Sequence, residues 1–515
     1  MGKVNLDALI PREDFEVEEN HTPGKKKETI SIEDIKSDSF FFINIRKPDF
    51  QRETNEWDEK KITQFIKSFV EGDLIPAIIL WRSSGGYLFV IDGSHRLSSL
   101  SAWVNDDYGD GEISKMFYDG LIPDEQIEIA NRTRKMVNDV VGSYIDYKLA
   151  LTRPEKVKSH IVTNAKNLGA LAIQLQWVEG DSTKAENSFF KINQQAAPID
   201  KTELKLLETR RHPNSIAARA IIRSGKGHKY WSQFSPKTQV EVQELAQKIN
   251  QILFTPKLDT PIKTLDIPIG GRVYGALALP LILDFINISN NITPKTSLSD
   301  DKTGDETIKI LKRTLKVAQL VNSNHSSSLG LHPIVYFYSK DGKYKIAQFY
   351  AIVKFSIEID SRQKKDHFTK ARATLESIIW NYDYLIQQIN RKYRSALNSY
   401  VHISAFLIDC IDFINKGNDE INTINALIKT KYPYLTLENY DQSIDADSRD
   451  FDTNKKSAVY IIDAIKSAPR CKICNGLIHR NAISIDHIER REDGGKASID
   501  NGQITHPYCN TGFKN

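Results

Sequence analysis

Three of the chain's four cysteines crowd into its C-terminal stretch, where Cys471-Lys-Ile-Cys474 and His506-Pro-Tyr-Cys509 form two pairs, each with two residues between the ligands. A turn of that length lets two side chains bite one ion, and two such pairs complete a tetrahedron closed to solvent. Three sulfurs and an imidazole suit Zn2+ in a structural role. A small terminal domain buries too little apolar surface to stand alone, and bound zinc supplies on the order of 10 kcal/mol of folding free energy. Four cysteines in 515 residues are too few for a disulfide scaffold, so the cluster points to a reducing compartment.

Between the two pairs, Ile483, Ile485 and Ile488 mark a half-buried strand, with Asp486 and His487 at its end and Gly494-Gly495 in the turn that follows. A carboxylate, an imidazole and the amides of Asn501 and Asn510 are left over once the zinc tetrahedron is filled. They suit a second, open, oxygen-rich site for Mg2+ or Mn2+. Phosphodiester hydrolysis needs such parts: an ion on the phosphate and the leaving oxygen, and a base to deprotonate water.

Far upstream, Tyr87–Ile91 runs into Asp92-Gly93-Ser94-His95-Arg96, and a helix opens there. Strand, glycine turn and helix start bring polar groups to a helix N-terminus, where backbone N–H groups point at an anion. Arg96 and Arg52 can grip phosphate bidentately, and Asp92 can hold Mg2+ or position a water. With Gln51, Ser94 and His95 they make a candidate nucleotide-binding set. The plainer alternative has Asp92 capping the helix and Arg96 paired to it. His95 reads either as a base or as a satisfied polar group.

The elements that must position these groups follow from periodicity. Asp58–Gly72 carries Ile62, Phe65, Ile66 and Phe69 at helical spacing, with Asp58 as N-cap and Gly72 as stop. Ile75–Trp81 and Tyr87–Ile91 read as strands around a Ser-Ser-Gly-Gly turn. Leu168–Gly180 reads as a strand entering a helix near Asp181. Beyond Pro236 the pattern is mostly helical. Thr293–Thr307 is expected as an exposed loop, and Leu437–Lys456 as an acidic linker. The domain reading is therefore a flexible arm over 1–30, an α/β domain over 31–235, a helical domain over 236–436, a linker over 437–456 and a small metal-bound domain over 457–515.

Composition sets the outer bounds. Hydrophobic residues are 40% and charged residues 26%, a globular balance. With 70 Lys+Arg against 66 Asp+Glu, a net charge of +4 excludes a uniformly basic nucleic-acid coat but leaves room for a local basic groove. Arg210–Trp231 reads equally well as a DNA contact or a solvated face, and Arg362–Arg372 as a solvated basic face. Cys410, among Ile, Leu and Phe, reads as core. The N-terminus carries no secretory pattern. The apolar stretch Val273–Ile288 contains Pro280 and Asp284 and falls short of the ~20 residues a spanning helix needs. A cytoplasmic protein with no membrane partner is expected.

Two resemblances sharpen this reading. The segment from Cys471 onward resembles an HNH nuclease domain of the ββα-metal type in its zinc-knuckle form. That resemblance implies His487 as general base, Asp486 and Asn510 as ligands of the catalytic divalent ion, and Asn501 as the residue that ties the loop back and orients His487. His506 stands where a knuckle cysteine is usual, and barely one turn follows Asn510 for the helix that should present it. The order Asp49–Trp57, helix, Ile75–Trp81, Tyr87–Arg96, then Asn187–Leu204, resembles the ParB/sulfiredoxin-like nucleotidase domain of GmrSD-type restriction enzymes and of the effector SspE. Members of that family usually read DGQQR where this chain has Asp92-Gly93-Ser94-His95-Arg96, which weakens hydrolysis more than binding.

The resemblances imply a multidomain α/β plus α protein: a ParB-like α/β domain, a helical middle and a zinc-bound HNH domain. Its implied activity is that of a nucleotide-regulated, metal-dependent DNA endonuclease of anti-phage or modification-dependent restriction type. Structural Zn2+, catalytic Mg2+ or Mn2+, a nucleoside triphosphate and DNA, including modified phage DNA, are its expected cofactors and partners, and a homo-oligomer is compatible with it. The alternatives are a non-cleaving DNA-binding regulator and an NTPase whose HNH domain is secondary.

Overall fold

A computed structural model describes residues 3–13, 25–48, 51, 54, 56–118, 122, 124–196, 209–225, 231–271, 278–437 and 450–514. The chain divides into two compact units. One comprises Met1–Arg210 with Lys226–Tyr230; the other comprises Arg211–Gly225 with Trp231–Asn515.

The first unit is built on a six-stranded sheet. In chain order its strands are β1 (Arg12–Glu13), β2 (Thr29–Ser31), β3 (Ile45–Pro48), β4 (Ile78–Arg82), β5 (Leu88–Asp92) and β6 (Ala172–Val178). They lie side by side as β1-β3-β5-β4-β6-β2. The β1–β3, β3–β5 and β4–β6 pairs are parallel, while β4–β5 and β6–β2 are antiparallel. Helix α1 (Glu59–Glu71) begins where Asp58 accepts a hydrogen bond from the Lys61 N–H at 2.9 Å and ends at Gly72, whose φ of 79° needs no Cβ. Its Ile62, Ile66 and Phe69 join the unit's core. Helix α2 (Ser94–Asn105) starts at Gly93, so glycine and not the Asp92 side chain occupies the N-cap.

Residues 3–13 correct the expected arm. Val4, Leu6, Leu9 and Ile10 are buried in the core, and the Val4 and Leu6 N–H groups donate to Trp57 and Thr54 carbonyls at 2.9 Å. These apolar residues give the segment enough burial to offset its ordering entropy.

The second unit is helical with one small hairpin. Helix Ala278–Ser289 is apolar nearly all round and packs on Pro213–Ile222 and Ile346–Glu358. Its Asp284 accepts a hydrogen bond from Tyr350 Oη at 2.8 Å. Helix Pro213–Ile222 is buried along its length, Arg219 included, so burial rather than DNA or solvent claims that part of the basic Arg210–Trp231 segment. Helix Ala396–Ile414 is long and apolar enough to cross a membrane, and its Ile403, Leu407 and Cys410 are buried against neighbouring helices. Helix Thr453–Ser467 begins inside the stretch read as linker, and the zinc-type segment behind it belongs to the same compact unit as the helices. Residues 438–449 of that linker lie outside the described residues.

The hairpin pairs β7 (Ser484–His487) antiparallel with β8 (Gly502–Thr505), with Ile485 opposite Ile504 and Asp486 opposite Gln503. The isoleucines do not mark a buried face: Ile485 is 61% exposed, while Asp486 is 6% exposed. The face turned inward is the polar one because it meets the turn Cys509–Phe513, a single π-helical turn where the ββα pattern has its helix.

Candidate functional site

The four zinc-type ligands are brought together. Cys471, Cys474, His506 and Cys509 are all buried, and their ligand atoms lie within 4.8 Å of one another. His506 Nδ1 sits 3.3 Å from Cys474 Sγ and 3.9 Å from Cys509 Sγ. A tetrahedral zinc with bonds of about 2.1–2.3 Å puts its ligands roughly 3.5–3.8 Å apart, so the cage has the right size. His506 Nε2 lies 3.0 Å from the Leu477 carbonyl, which fixes the proton on Nε2 and leaves Nδ1 its lone pair. Burial and the neighbouring Arg372 hold that imidazole below its ordinary pKa, in the neutral form a metal needs.

The thiols argue for a cation as well. Hydrogen bonds from Cys474 and Cys509 pull Cys471 far down, while Cys471 pushes Cys474 up to about 11, and Cys471 and Cys474 drive Cys509 higher still. The crowded thiols oppose one another's ionisation, and a bound Zn2+ would let all three ionise. Among the described residues this is the cluster that fits a metal.

The cage is braced by residues that the sequence reading placed on a solvated face. Helix Arg362–Asn381 buries Lys365 and Arg372, so the solvated reading fails for both; Lys365 pairs with Asp360 at 2.9 Å. Arg372, 1% exposed, bonds Glu376 at 2.7 Å, the carbonyls of Leu329 at 2.6 Å and Gly330 at 2.9 Å, and lies 3.1 Å from His506 Nδ1. Burial weighs against its charge, but Glu376 and the Cys474 thiol outweigh burial and raise its pKa. A Cys3His zinc centre would carry a net charge of −1, and the Arg372 guanidinium lies beside the cage where it would offset that charge. Glu376 accepts from the Leu477 N–H at 3.1 Å, so one helix grips the knuckle from two sides. Gly476 is needed because a Cβ there would lie 2.2 Å from Arg372 Nε. The (i,i+4) Arg372/Glu376 spacing was the only signal in the sequence, and it is shared by many exposed pairs.

Behind the cage lies a buried pair of histidines. His479 and His332 meet edge to face at 5.4 Å, with His479 Nδ1 3.2 Å from Asn322 Oδ1 and Nε2 3.9 Å from Asp266 Oδ1. Burial lowers the His479 pKa to about 4 against the pull of Asp266, and it lowers His332 too. The unfolded chain, with histidine near 6.5, therefore binds a proton that the folded unit refuses. Stability should fall as pH drops from about 6.5 towards 4, by at most about 3 kcal/mol for His479. Denaturant unfolding of the wild type against His479→Gln across that range measures it: the variant should lose part of the slope, and parallel profiles would refute the assignment.

On the hairpin, Asp486 Oδ2 accepts from Gln503 Nε2 at 2.8 Å and from Lys514 Nζ at 2.7 Å. The His487 ring lies 3.5 Å from Arg491 Nε. Asn501 Oδ1 accepts from the Glu489 N–H at 2.7 Å, and its amide donates to the Glu489 and Lys496 carbonyls at 3.1 and 2.9 Å, pinning the loop that follows His487. Asn510 donates to Ser484 Oγ at 2.8 Å and to the Ile485 carbonyl at 3.1 Å, so its turn is stitched to β7. Tyr508 donates to Asp366 at 2.8 Å, and Thr511 to the Ser326 carbonyl at 2.8 Å. The helical body thus supplies the rigidity that one short turn lacks.

The upstream constellation forms in part. Asp92, at the end of β5, pairs with Arg96 at 2.7 Å, and Arg96 also donates to the Ala77 carbonyl at 3.1 Å. Gly93 has a φ of 101°, and a Cβ there would meet Ile78 at 2.9 Å. Gln51 donates to Ser94 Oγ at 3.1 Å, and Trp57 stacks on His95 at 5.5 Å. Arg52 lies outside the described residues. The buried clamp under this loop had no sequence signal. Asp7 takes Lys47 at 2.7 Å and the Thr54 N–H at 3.1 Å, while Arg12 bonds both Asp7 and the Gln51 carbonyl.

Residues 32–208 match the family model of the GmrSD restriction endonuclease N-terminal domain, and residues 471–515 match that of the HNH endonuclease. The chain joins a GmrSD-type N-terminal domain to a C-terminal HNH domain. The pairing supports a nuclease of restriction type, with DNA as its substrate. No curated protein and no solved structure matches the chain. Within the GmrSD-type match lie Asp92–Arg96 and strands β3 to β6 of the sheet; within the HNH match lie all four zinc-type ligands and the hairpin.

Proposed function

We propose that the protein is a nucleotide-regulated, divalent-metal-dependent DNA endonuclease acting in the cytoplasm as an anti-phage or modification-dependent restriction effector. The observation that carries this reading is the placement of Asp486, His487 and Asn510 on a hairpin and turn anchored by a Cys3His cage inside an HNH match. Asp486 and Asn510 would hold Mg2+ or Mn2+, and a carboxylate and an amide carbonyl are the oxygen donors such ions take. When bound, that ion neutralises charge on the phosphate and the leaving oxygen. His487 takes the proton from the attacking water as it adds to phosphorus. Asn501 holds the loop after His487, so the imidazole leaves β7 in one direction. The zinc cage takes no part in the chemistry.

The first unit, in this reading a ParB-like fold, would bind a nucleoside triphosphate at Asp92–Arg96 with Gln51 and Arg52. The Asp92–Arg96 pair is the plainer arrangement of those two residues, and an incoming phosphate must open it to engage Arg96. Coupling to the nuclease requires that nucleotide bind one state of the protein better than another. Cleavage of modified and plain phage DNA should therefore change by at least tenfold with nucleoside triphosphate, and Asp92→Ala should remove the change. Equal cutting with and without every triphosphate would dispose of the regulation and leave the nuclease standing.

A further inference from the structure

Lys514, just after the Cys509–Phe513 turn, carries its ammonium back onto the β7–β8 hairpin. Nζ bonds Asp486 Oδ2 at 2.7 Å and also donates to the His487 carbonyl. The pair is not an ordinary surface ion pair, because the Asp486 side chain is 7% exposed and that of Lys514 20%. The Lys514 carbonyl is itself held by Arg490 Nη2 at 2.7 Å, which fixes the backbone that delivers the ammonium. The positive group thus meets one carboxylate oxygen and one backbone carbonyl oxygen, the ligand types a hard cation seeks. The Asn510 amide is stitched to the same strand two residues earlier.

We propose that Lys514 is a resident counter-cation of the divalent-ion site: its ammonium occupies the Asp486 carboxylate until Mg2+ or Mn2+ displaces it. This rests on Asp486 being a ligand of the catalytic ion. A buried carboxylate without a partner is costly, so some cation must sit there while the site waits for its ion. An ammonium suits the task because it is a compact point charge on a flexible stem that can withdraw towards solvent. The consequence is a threshold: the ion binds only as well as it outcompetes Lys514. A cation within about 4–6 Å of a carboxylate changes its proton affinity by 1–3 logarithmic units, and competition for a metal ion works on the same scale.

The test is Mn2+ binding to the full chain, followed by the paramagnetic signal of free Mn2+, with Asp486→Asn as the blank. Lys514→Met, which keeps the apolar stem, and Lys514→Gln, which keeps a donor, should each tighten Asp486-dependent binding by about tenfold or more. Lys514→Arg should stay near the wild type. In the wild type, acetylation of Lys514 by a water-soluble succinimidyl ester should speed up when Mn2+ is added, which needs no variant to fold. If the uncharged variants keep their zinc but bind Mn2+ no more tightly, the proposal is overturned. An unchanged acetylation rate during Asp486-dependent Mn2+ binding overturns it as well. If Mn2+ binding is the same in Asp486→Asn as in the wild type, the metal assignment itself fails, a result distinct from both.

Discussion

Replacing His487 with alanine should lower Mg2+- or Mn2+-dependent DNA cleavage by a factor of about 10²–10⁴, the usual worth of a positioned general base. The zinc content of the variant should be unchanged, because His487 is not among the four clustered ligands. Its folding stability should change little, since the ring is half-buried and its contact with Arg491 is long, at 3.5 Å. Binding of Mn2+ at Asp486 should survive, because Gln503 holds the Asp486 carboxylate independently of the His487 ring. Those three readouts separate a lost base from a lost fold. Added imidazole should restore part of the rate, as the truncated side chain leaves space beside the hairpin. A His487→Ala enzyme that cuts at the wild-type rate would sink the assignment of the base, whatever its zinc content.

What could be read in advance divides along a physical line. Features set by contacts near in sequence were legible. The Asp58 cap, the Gly72 stop and the Gly93 turn each depend on one residue and its immediate neighbours. The paired Cys and His spacings were legible for the same reason: each half-site is a local turn. Features set by contacts across the chain were not. Nothing in residues 3–13 announces that Asp7 will be clamped by Lys47, some forty positions on. Nothing in a basic helix tells Arg372, which braces the cage, from the exposed cations beside it, because burial is decided by what packs on the helix. The isoleucines of 483–488 misled for a related reason. Alternation signals that two faces differ, but only the partner decides which face is covered, and here the partner is a polar-stitched turn.

The same distinction recasts the boundary between the helical and zinc-bearing parts. A small domain at the end of a linker would fold or fail by itself, with zinc supplying what its core lacks. Here Arg372, Glu376, Asp366 and the Leu329 and Gly330 carbonyls tie the knuckle into the helical body. Metal bound in the cage would therefore be coupled to the whole second unit. That coupling also explains how a hairpin and one π-helical turn can be held still enough for chemistry.

Cys474→Ser is accordingly expected to do more than loosen a tail. Zinc per chain should fall to near zero, since a hydroxyl is a poor substitute for a thiolate in a closed Cys3His cage. The loss of metal removes folding free energy on the order of 10 kcal/mol in small zinc domains. In this protein part of that cost is cushioned by the packing of the knuckle on the helical body. The other part is aggravated, because Arg372 keeps Glu376 and its two backbone carbonyls but loses the anionic centre beside it. The second unit should then unfold at markedly lower denaturant, and its cleavage activity should vanish with its fold. Metal analysis together with urea unfolding of both proteins reads this out, in contrast to His487→Ala, which loses activity alone. A Cys474→Ser protein with a full zinc complement and wild-type unfolding would show that the cage is not what holds the hairpin and turn in place.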